Sequence, residues 1–220
     1  LPHNYYLNKK ILITGGGSGL GEQMATHFAK LGGQVSIVGR NPQKLDHASR
    51  EINILDDVTH NVRCYALDVR DHDAVSKLAD NLEKDKQTLK LYNEKLLAKG
   101  SRILGLTSEG NYLAMEGYGP VSVAKVAMEA IIRQVGWELG VNGITANAIQ
   151  AGVTPTRALT KITDNWEKWV ENTRVRNPMK RTTEPRDVAN VISLLLQPEA
   201  DFINCSIVYC DGGESRSGTI

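Results

Sequence analysis

The stretch KILITGGGSGLGEQMATHFAKLGG, residues 10–33, restricts the fold of this chain more than any other. KILIT is a short apolar run that stops at glycines, as a strand buried in a parallel sheet does. Beyond the glycines, Leu20, Met24, Ala25, Phe28 and Leu31 recur at helical spacing, and Gly32-Gly33 end the helix. A strand, a glycine loop and a helix in this order form the context of a dinucleotide site. Gly15 permits the tight turn, Gly19 lets backbone amides approach a pyrophosphate, and Gly21 lets the helix pack closely. With Gly17, Ser18 and Leu20 they bring phosphates to the positive end of a helix. A glycine triplet elsewhere would be an ordinary turn; here its position points to a nucleotide.

The same rhythm continues along the chain. Residues 35–38 (VSIV) read as a second strand, and Pro42 opens a helix to about residue 55. Residues 62–67 (VRCYAL) read as a third strand, and Asp71 caps a helix with Val75, Leu78 and Leu82 on one face. The alternation resumes with a strand at 102–106, a helix at about 120–139 and a strand at 144–149. A helix near 185–196 and a strand at 206–210 complete it. The expected fold is α/β: a single-domain Rossmann fold with a doubly wound parallel sheet and helices on both faces. Between residues 82 and 101 the pattern fails, because EKDKQTLKLYNEKLLAKG is polar, rich in lysine and holds no strand. Strand 4 of such a sheet lies beside strand 1 in the core, and a strand with its crossover helix needs about 30 residues. The sequence is therefore expected to skip a segment near residues 85–87, and an intact mass of 24.1 kDa would contradict that.

Composition mainly excludes. A chain of 220 residues that is 41% apolar and 23% charged can bury a substantial core. A formal net charge of +1 gives no general attraction to nucleic acid or membrane. No apolar run approaches the roughly 20 residues of a bilayer span, and LPHNYYLNKK lacks the apolar centre of a secretory signal. Cys64, Cys205 and Cys210 follow no ligand or disulfide pattern and the five histidines are scattered, so no metal site and a reducing, cytoplasmic compartment are expected.

Three further stretches carry chemistry. At the end of the second strand, Val38-Gly39-Arg40-Asn41 offers no carboxylate to a ribose 2′-hydroxyl. The planar fork of Arg40 suits a 2′-phosphate instead, so NADPH is favoured over NADH, with dual use open and a solvated surface arginine as the alternative. Asp68 can accept from an adenine amino group while Val69 packs on the ring, or Asp68 can simply cap a turn. In 118-YGPVSVAK-125, Tyr118 stands seven residues before Lys125, and the position four before is Val121, which has no proton to give. Four residues turn a helix by about 400° and seven by about 700°, so either spacing puts a tyrosine on the lysine face, about 6 or 10.5 Å along the axis. Pro120 fits a first turn, so Tyr118 is expected just ahead of the helix.

With TGGGSGLG, Asp68-Val69, Tyr118 and Lys125, the chain resembles the short-chain dehydrogenase/reductase superfamily over nearly its whole length. AGVTPT at 151–156 and Asp211-Gly212-Gly213 are similar to it as well. The resemblance implies that Gly152, Val153, Thr154 and Thr156 pass the nicotinamide amide and the phosphates, and that Lys125 holds the nicotinamide ribose. The chain departs from the family at Val121 and in the absent fourth-strand segment with its asparagine-alanine-glycine motif. A tyrosine seven before the lysine is the pattern of the enoyl-acyl carrier protein reductases, and LTSEGNYLAMEGYGPVSVAKVAMEAI resembles that branch. Part of the branch carries a second tyrosine where this chain has Ser108.

That resemblance implies conjugate reduction of a trans-2-enoyl thioester, carried on acyl carrier protein or CoA, by NADPH or NADH. Tyr118 would donate to the enolate oxygen, with Lys125 favouring the phenolate by its charge. Ser108 would hydrogen-bond the substrate, and Tyr112 and Leu159 would line the acyl site. A dienoyl-CoA or carbonyl reductase, or a silent nucleotide-binding protein in which Tyr118 is a packed aromatic and Lys125 a surface lysine, are the competing readings.

A substrate lid is expected at about residues 153–180. Within it Ala158, Leu159, Ile162, Trp166, Trp169 and Val170 keep helical spacing, and Asp164 with Glu167 reads as a capping box opening a second short helix. An ordinary amphipathic helix packed on the core is the alternative. Lys161, Lys168, Arg174, Arg176, Lys180 and Arg181 form a basic cluster for an acidic carrier protein, diluted by Asp164, Glu167 and Glu171. The family implies a homotetramer built on residues 121–139 and the last strand, and Val126, Ile131, Ile132, Val135 and Trp137 leave that helix few polar faces.

Overall fold

The computed structural model describes residues 2–84 and 97–217, the side chains of 83 and 84 excepted. It divides into two units, Leu1–Ala98 and Lys99–Ile220. The expected skip near residues 85–87 lies outside the described residues.

The first unit runs β1 (Lys10–Thr14), α1 (Gly19–Lys30), β2 (Gln34–Gly39), α2 (Pro42–Asn53), β3 (Arg63–Ala66) and α3 (His72–Lys84). Its strands form a parallel sheet of order β1-β2-β3, with Ile11 opposite Val35 and Val38 opposite Tyr65. The apolar stripe of α1 is buried through Met24, Ala25 and Phe28. Leu78 and Leu82 of α3 cluster with Val38, and Leu12, Tyr65 and Leu67 pack around them. Local chemistry sets the helix starts: the Asn41 side chain accepts from Lys44 N at 2.9 Å with Pro42 in the first turn, and Asp71 Oδ1 accepts from Ala74 N at 3.0 Å.

The second unit runs β4 (Arg102–Ser108), α4 (Gly119–Gly140), β5 (Thr145–Ala151), α5 (Leu159–Ile162), α6 (Trp166–Arg176), α7 (Pro185–Leu195) and β6 (Ile207–Cys210). These strands are parallel in the order β4-β5-β6, with Leu104 opposite Asn147 and Ile149 opposite Val208. Every residue of β5 is buried, three of them polar, and Asn147 is satisfied by Ile203 O at 2.8 Å and Ser206 N at 3.0 Å. One face of α4 packs on β4 and β5 through Ile132, Ala146 and Ala148, flanked by Ile103, Met128 and Val135. Gly105 makes the approach possible, since a Cβ there would lie 2.3 Å from Met128 Sδ. Val123, Val126, Ile131 and Trp137 stay exposed on α4, Trp137 by 79%.

One expected cap is corrected. Asn165, not Asp164, stands at the N-cap of α6, and its backbone (φ −90°, ψ 24°) is not the extended form a capping box requires. Thr163 Oγ1 takes the Asn165 amide instead, at 3.1 Å. A reciprocal cap is found at α7, where the Asp187 carboxylate accepts from Glu184 N at 2.9 Å. No helix among the described residues is long and apolar enough to cross a membrane.

Candidate active site

In the first unit the glycine loop ties β1 to α1. Gly15 N donates to Val38 O at 2.7 Å, which sets the turn against β2. Gly15 (φ 73°) and Gly19 (φ 59°) lie in the left-handed region that side chains disfavour. A Cβ on Gly21 would lie 2.3 Å from Gly15 O, so α1 can sit against the turn only with glycine there. A Cβ on Gly15 would instead enter open space, meeting nothing within 4 Å. Ser18 is the N-cap of α1 in extended backbone, and its hydroxyl makes no capping bond. The first amides of α1, from Gly19 and Leu20 onward, have no intrahelical acceptor and open onto this loop. An open cradle, a positive helix end and a free hydroxyl fit the pyrophosphate of a dinucleotide.

Arg40 is exposed just past β2. Asp68, past β3, is engaged more fully than its sequence suggests. Arg70 Nε lies 3.0 Å from Asp68 Oδ1, Arg70 Nη2 lies 2.6 Å from Oδ2, and Arg70 N donates to Oδ1 at 3.0 Å. These bonds, chiefly the side-chain pair with Arg70, hold the Asp68 carboxyl down at about 2, and the charge of Arg40 adds to them. Asp68 thus acts in its own turn, and Val69 beside it is exposed.

In the second unit Tyr118 is the N-cap of α4, and its carbonyl accepts from Ser122 N at 2.8 Å. Its ring is 7% exposed. It lies over Gly110, where a Cβ would come 2.3 Å from Tyr118 Cε1, and beside Trp169 of α6 at a centroid distance of 6.3 Å. No described residue is hydrogen-bonded to its hydroxyl. Lys125, two turns along α4, donates from Nζ to Leu106 O of β4 at 2.7 Å. Burial lowers the pKa of this ammonium, and the charge of Glu129 raises it in opposition. Ser108 ends β4 and caps the 3-10 turn at 109–111, where its Oγ accepts from Gly110 N at 3.3 Å and keeps its own proton to give.

Tyr112 is 50% exposed, and its hydroxyl accepts from Gln150 Nε2 at 3.0 Å. Gln150 is buried in β5, and its Oε1 has no partner. Because Gln150 donates, the phenolic proton of Tyr112 is left for another acceptor. After β5, Gly152 is required by crowding: a Cβ would lie 2.6 Å from Thr183 Oγ1 and 3.1 Å from Glu214 Oε2. Val153 O accepts from Thr183 N at 3.2 Å, Thr154 Oγ1 donates to Gly152 O at 3.0 Å, and Thr156 O accepts from Leu159 N at 3.0 Å. Leu159 itself is buried.

An ion-pair cluster absent from the sequence reading anchors this unit. Arg176, the last residue of α6, donates from Nη2 to Glu109 Oε1 at 2.8 Å and to Glu214 Oε1 at 2.7 Å. Both carboxylates are buried, and Thr173 Oγ1 adds a bond to Glu214 at 2.8 Å. Burial pushes the Glu109 carboxyl up, and the Glu214 charge adds to that. The expected basic cluster is correspondingly smaller. Arg176 is taken by these carboxylates, Arg181 by Asp187 at 2.6 Å, and Lys180 by Val175 O at 3.0 Å. Arg174 stands 3.7 Å from Glu171, so Lys161, Lys168 and Lys180 are the members left exposed without a carboxylate partner. Glu129 and Gln150 were the other omissions. Their signals were a glutamate one turn after Lys125 and a long amide side chain near the end of β5. Among the described residues no group of three or more His, Cys, Asp or Glu could hold a metal ion.

The family model described as Enoyl-(Acyl carrier protein) reductase matches residues 87–215, and that described as short chain dehydrogenase matches residues 9–93. A probable 2,4-dienoyl-CoA reductase of Bacillus subtilis is 27% identical over 248 residues, covering 94% of this chain and 96% of that protein. That match is longer than the 220 residues of this chain, so the relative carries residues that have no counterpart here. The enoyl-[acyl-carrier-protein] reductase [NADH] FabI of Neisseria meningitidis is 28% identical over 198 residues, covering 87% of this chain and 67% of that protein. Among solved structures, a short-chain type dehydrogenase/reductase from Mycobacterium ulcerans has the same fold, with a TM-score of 0.83, 23% identity, and coverage of 96% of this chain and 91% of that one. The chain, an α/β protein with the Rossmann fold, belongs to the short-chain dehydrogenase/reductase superfamily, in the part covered by the family model described as enoyl-(acyl carrier protein) reductase.

Proposed function

We propose that this chain reduces the 2,3 double bond of an enoyl thioester carried on acyl carrier protein or CoA. Its family consists of oxidoreductases dependent on NAD(P)H. The observation that carries the proposal is the pair on α4: Tyr118 at the N-cap, seven residues before Lys125, whose ammonium turns back to Leu106 O two residues before Ser108. Seven residues are about two turns, so both groups share the α4 face that covers the end of β4.

Gly15, Gly17, Ser18, Gly19, Leu20 and Gly21 would hold the coenzyme pyrophosphate, and Arg40 a 2′-phosphate, which favours NADPH. Gly152, Val153, Thr154 and Thr156 would border the nicotinamide end, and the coenzyme supplies a hydride at nicotinamide C4. Tyr118 donates a hydrogen bond to the thioester oxygen as negative charge develops there, and no described residue competes for that donor. Lys125 would hold the nicotinamide ribose and would stabilise the phenolate by its charge. Ser108 offers a second donor to substrate. Leu159, Trp169 and the buried side of α6 give an apolar wall to an acyl chain.

A second reading is favoured by Tyr112. This phenol is half-exposed while Tyr118 is buried, and Gln150 leaves its proton free, so Tyr112 suits a longer conjugated acceptor such as a dienoyl thioester. Turnover assays of Tyr118→Phe and Tyr112→Phe on enoyl and dienoyl thioesters separate the two. Whichever phenol is the donor, losing it costs roughly 2.7–4 kcal/mol of barrier, a hundredfold or more in kcat.

The exposed apolar face of α4 supports a homotetramer with α4 at an interface. The three free cysteines suit a reducing compartment such as the cytoplasm.

A further inference from the structure

Glu129 is a buried carboxylate that the proposed reaction leaves without a role. It lies on α4, four residues and therefore one turn beyond Lys125, and is 7% exposed. Thr107 Oγ1 and Asn111 Nδ2 both donate to the same oxygen, Oε1. Those donors bracket the chemistry: Thr107 precedes Ser108 on β4, and Asn111 closes the turn that Ser108 caps. No described residue donates to Oε2. A buried carboxylate that takes two donors on one oxygen, with the other oxygen free and an ammonium one turn away, is arranged to act on that ammonium.

We infer that Glu129 is a positioning residue for Lys125: its buried negative charge keeps the lysine ammonium charged and drawn against the end of β4. The inference rests on the role proposed for Lys125. Without a compensating anion, a half-buried ammonium gives up its proton more readily, and burial does lower its pKa. Glu129 is the charged group that opposes this, whereas Glu109, in the turn beside it, is neutralised by Arg176. The arrangement also leaves Lys125 with one N–H on Leu106 O and two for other acceptors.

The test is Glu129→Gln, which keeps the volume and an acceptor for Thr107 and Asn111 and removes only the charge. Lys125 is titrated by NMR in protein carrying side-chain nitrogen-15-labelled lysine, its signal assigned by loss in Lys125→Arg. The account expects Lys125 to deprotonate at lower pH in Glu129→Gln than in the native chain. The alkaline limb of kcat/KM should move down with it. Should Glu129→Gln not fold, Glu129→Leu removes the same charge at similar volume, and the Lys125 titration should move in the same direction. An unmoved Lys125 titration in a folded variant overturns the inference, whatever the rate does. A shifted titration in a chain that turns over no thioester supports the Glu129–Lys125 link and counts against the proposed reaction alone.

Discussion

At the level of single residues, the proposed chemistry rests on two side chains. Tyr118 is oriented by its place at the start of α4 and by Gly110 beneath its ring, and Lys125 by the Leu106 carbonyl. Arg40 is the residue on which the proposed preference for NADPH rests. It is exposed, and no described residue binds its guanidinium, so it is free to take a 2′-phosphate. Arg40→Ala should therefore lower kcat/KM for NADPH by tenfold or more, about 1.4 kcal/mol, and leave the NADH value nearly unchanged. Equal losses with both coenzymes would contradict this. The places of Tyr118, Lys125 and Arg40 in the fold were legible in the sequence because each sits at a fixed offset from a glycine, a strand end or a proline. Gln150, Arg70 and Glu129 were not, because their partners are side chains whose approach depends on the folded path. Nothing in the order of residues announces that Gln150 reaches Tyr112, 38 positions away.

At the level of elements, strands and helices followed their apolar periodicity closely, and α2 and α3 begin at the caps their sequences offer. The Asp164–Glu167 cap failed because α6 starts one residue later, with Asn165 at its N-cap outside the extended form a capping box requires. What the periodicity could not reveal was the anchor at the base of α6. Arg176 joins α6 to the turn after β4 and to the C-terminal turn through Glu109 and Glu214. Arg176→Met strands two buried carboxylates and should cost about 3 kcal/mol, the lower end for a broken buried pair because the guanidinium is partly exposed. Urea unfolding measures it. Glu109 adds a pH signature. Its folded pKa is raised above the ordinary glutamate value of 4.5, so the native state binds this proton first on acidification. The stability it contributes is present below that value and lost as pH rises through the raised one. Glu109→Gln, which cannot ionise, should gain stability relative to the native chain as pH rises across that window, and a pH-independent difference would contradict the assignment.

At the level of the whole molecule, the alternation of strands and helices identified the Rossmann fold, and the glycine loop with the α4 pair identified the superfamily. The proposed assembly rests on the apolar residues of α4. Val123, Val126, Ile131 and Trp137 are exposed on that helix, and apolar side chains left to water along one helix fit a subunit interface. Trp137→Asp should shift sedimentation from a tetramer toward smaller species, and a chain that sediments as a monomer before substitution would contradict the proposed assembly. The most direct measurement for the account as a whole is NADPH oxidation with a trans-2-enoyl thioester, comparing the native chain with Tyr118→Phe. The account predicts turnover by the native chain and a loss of about a hundredfold or more in the variant with the coenzyme still bound. Turnover of ketones alone, or an unchanged kcat in Tyr118→Phe, would contradict it.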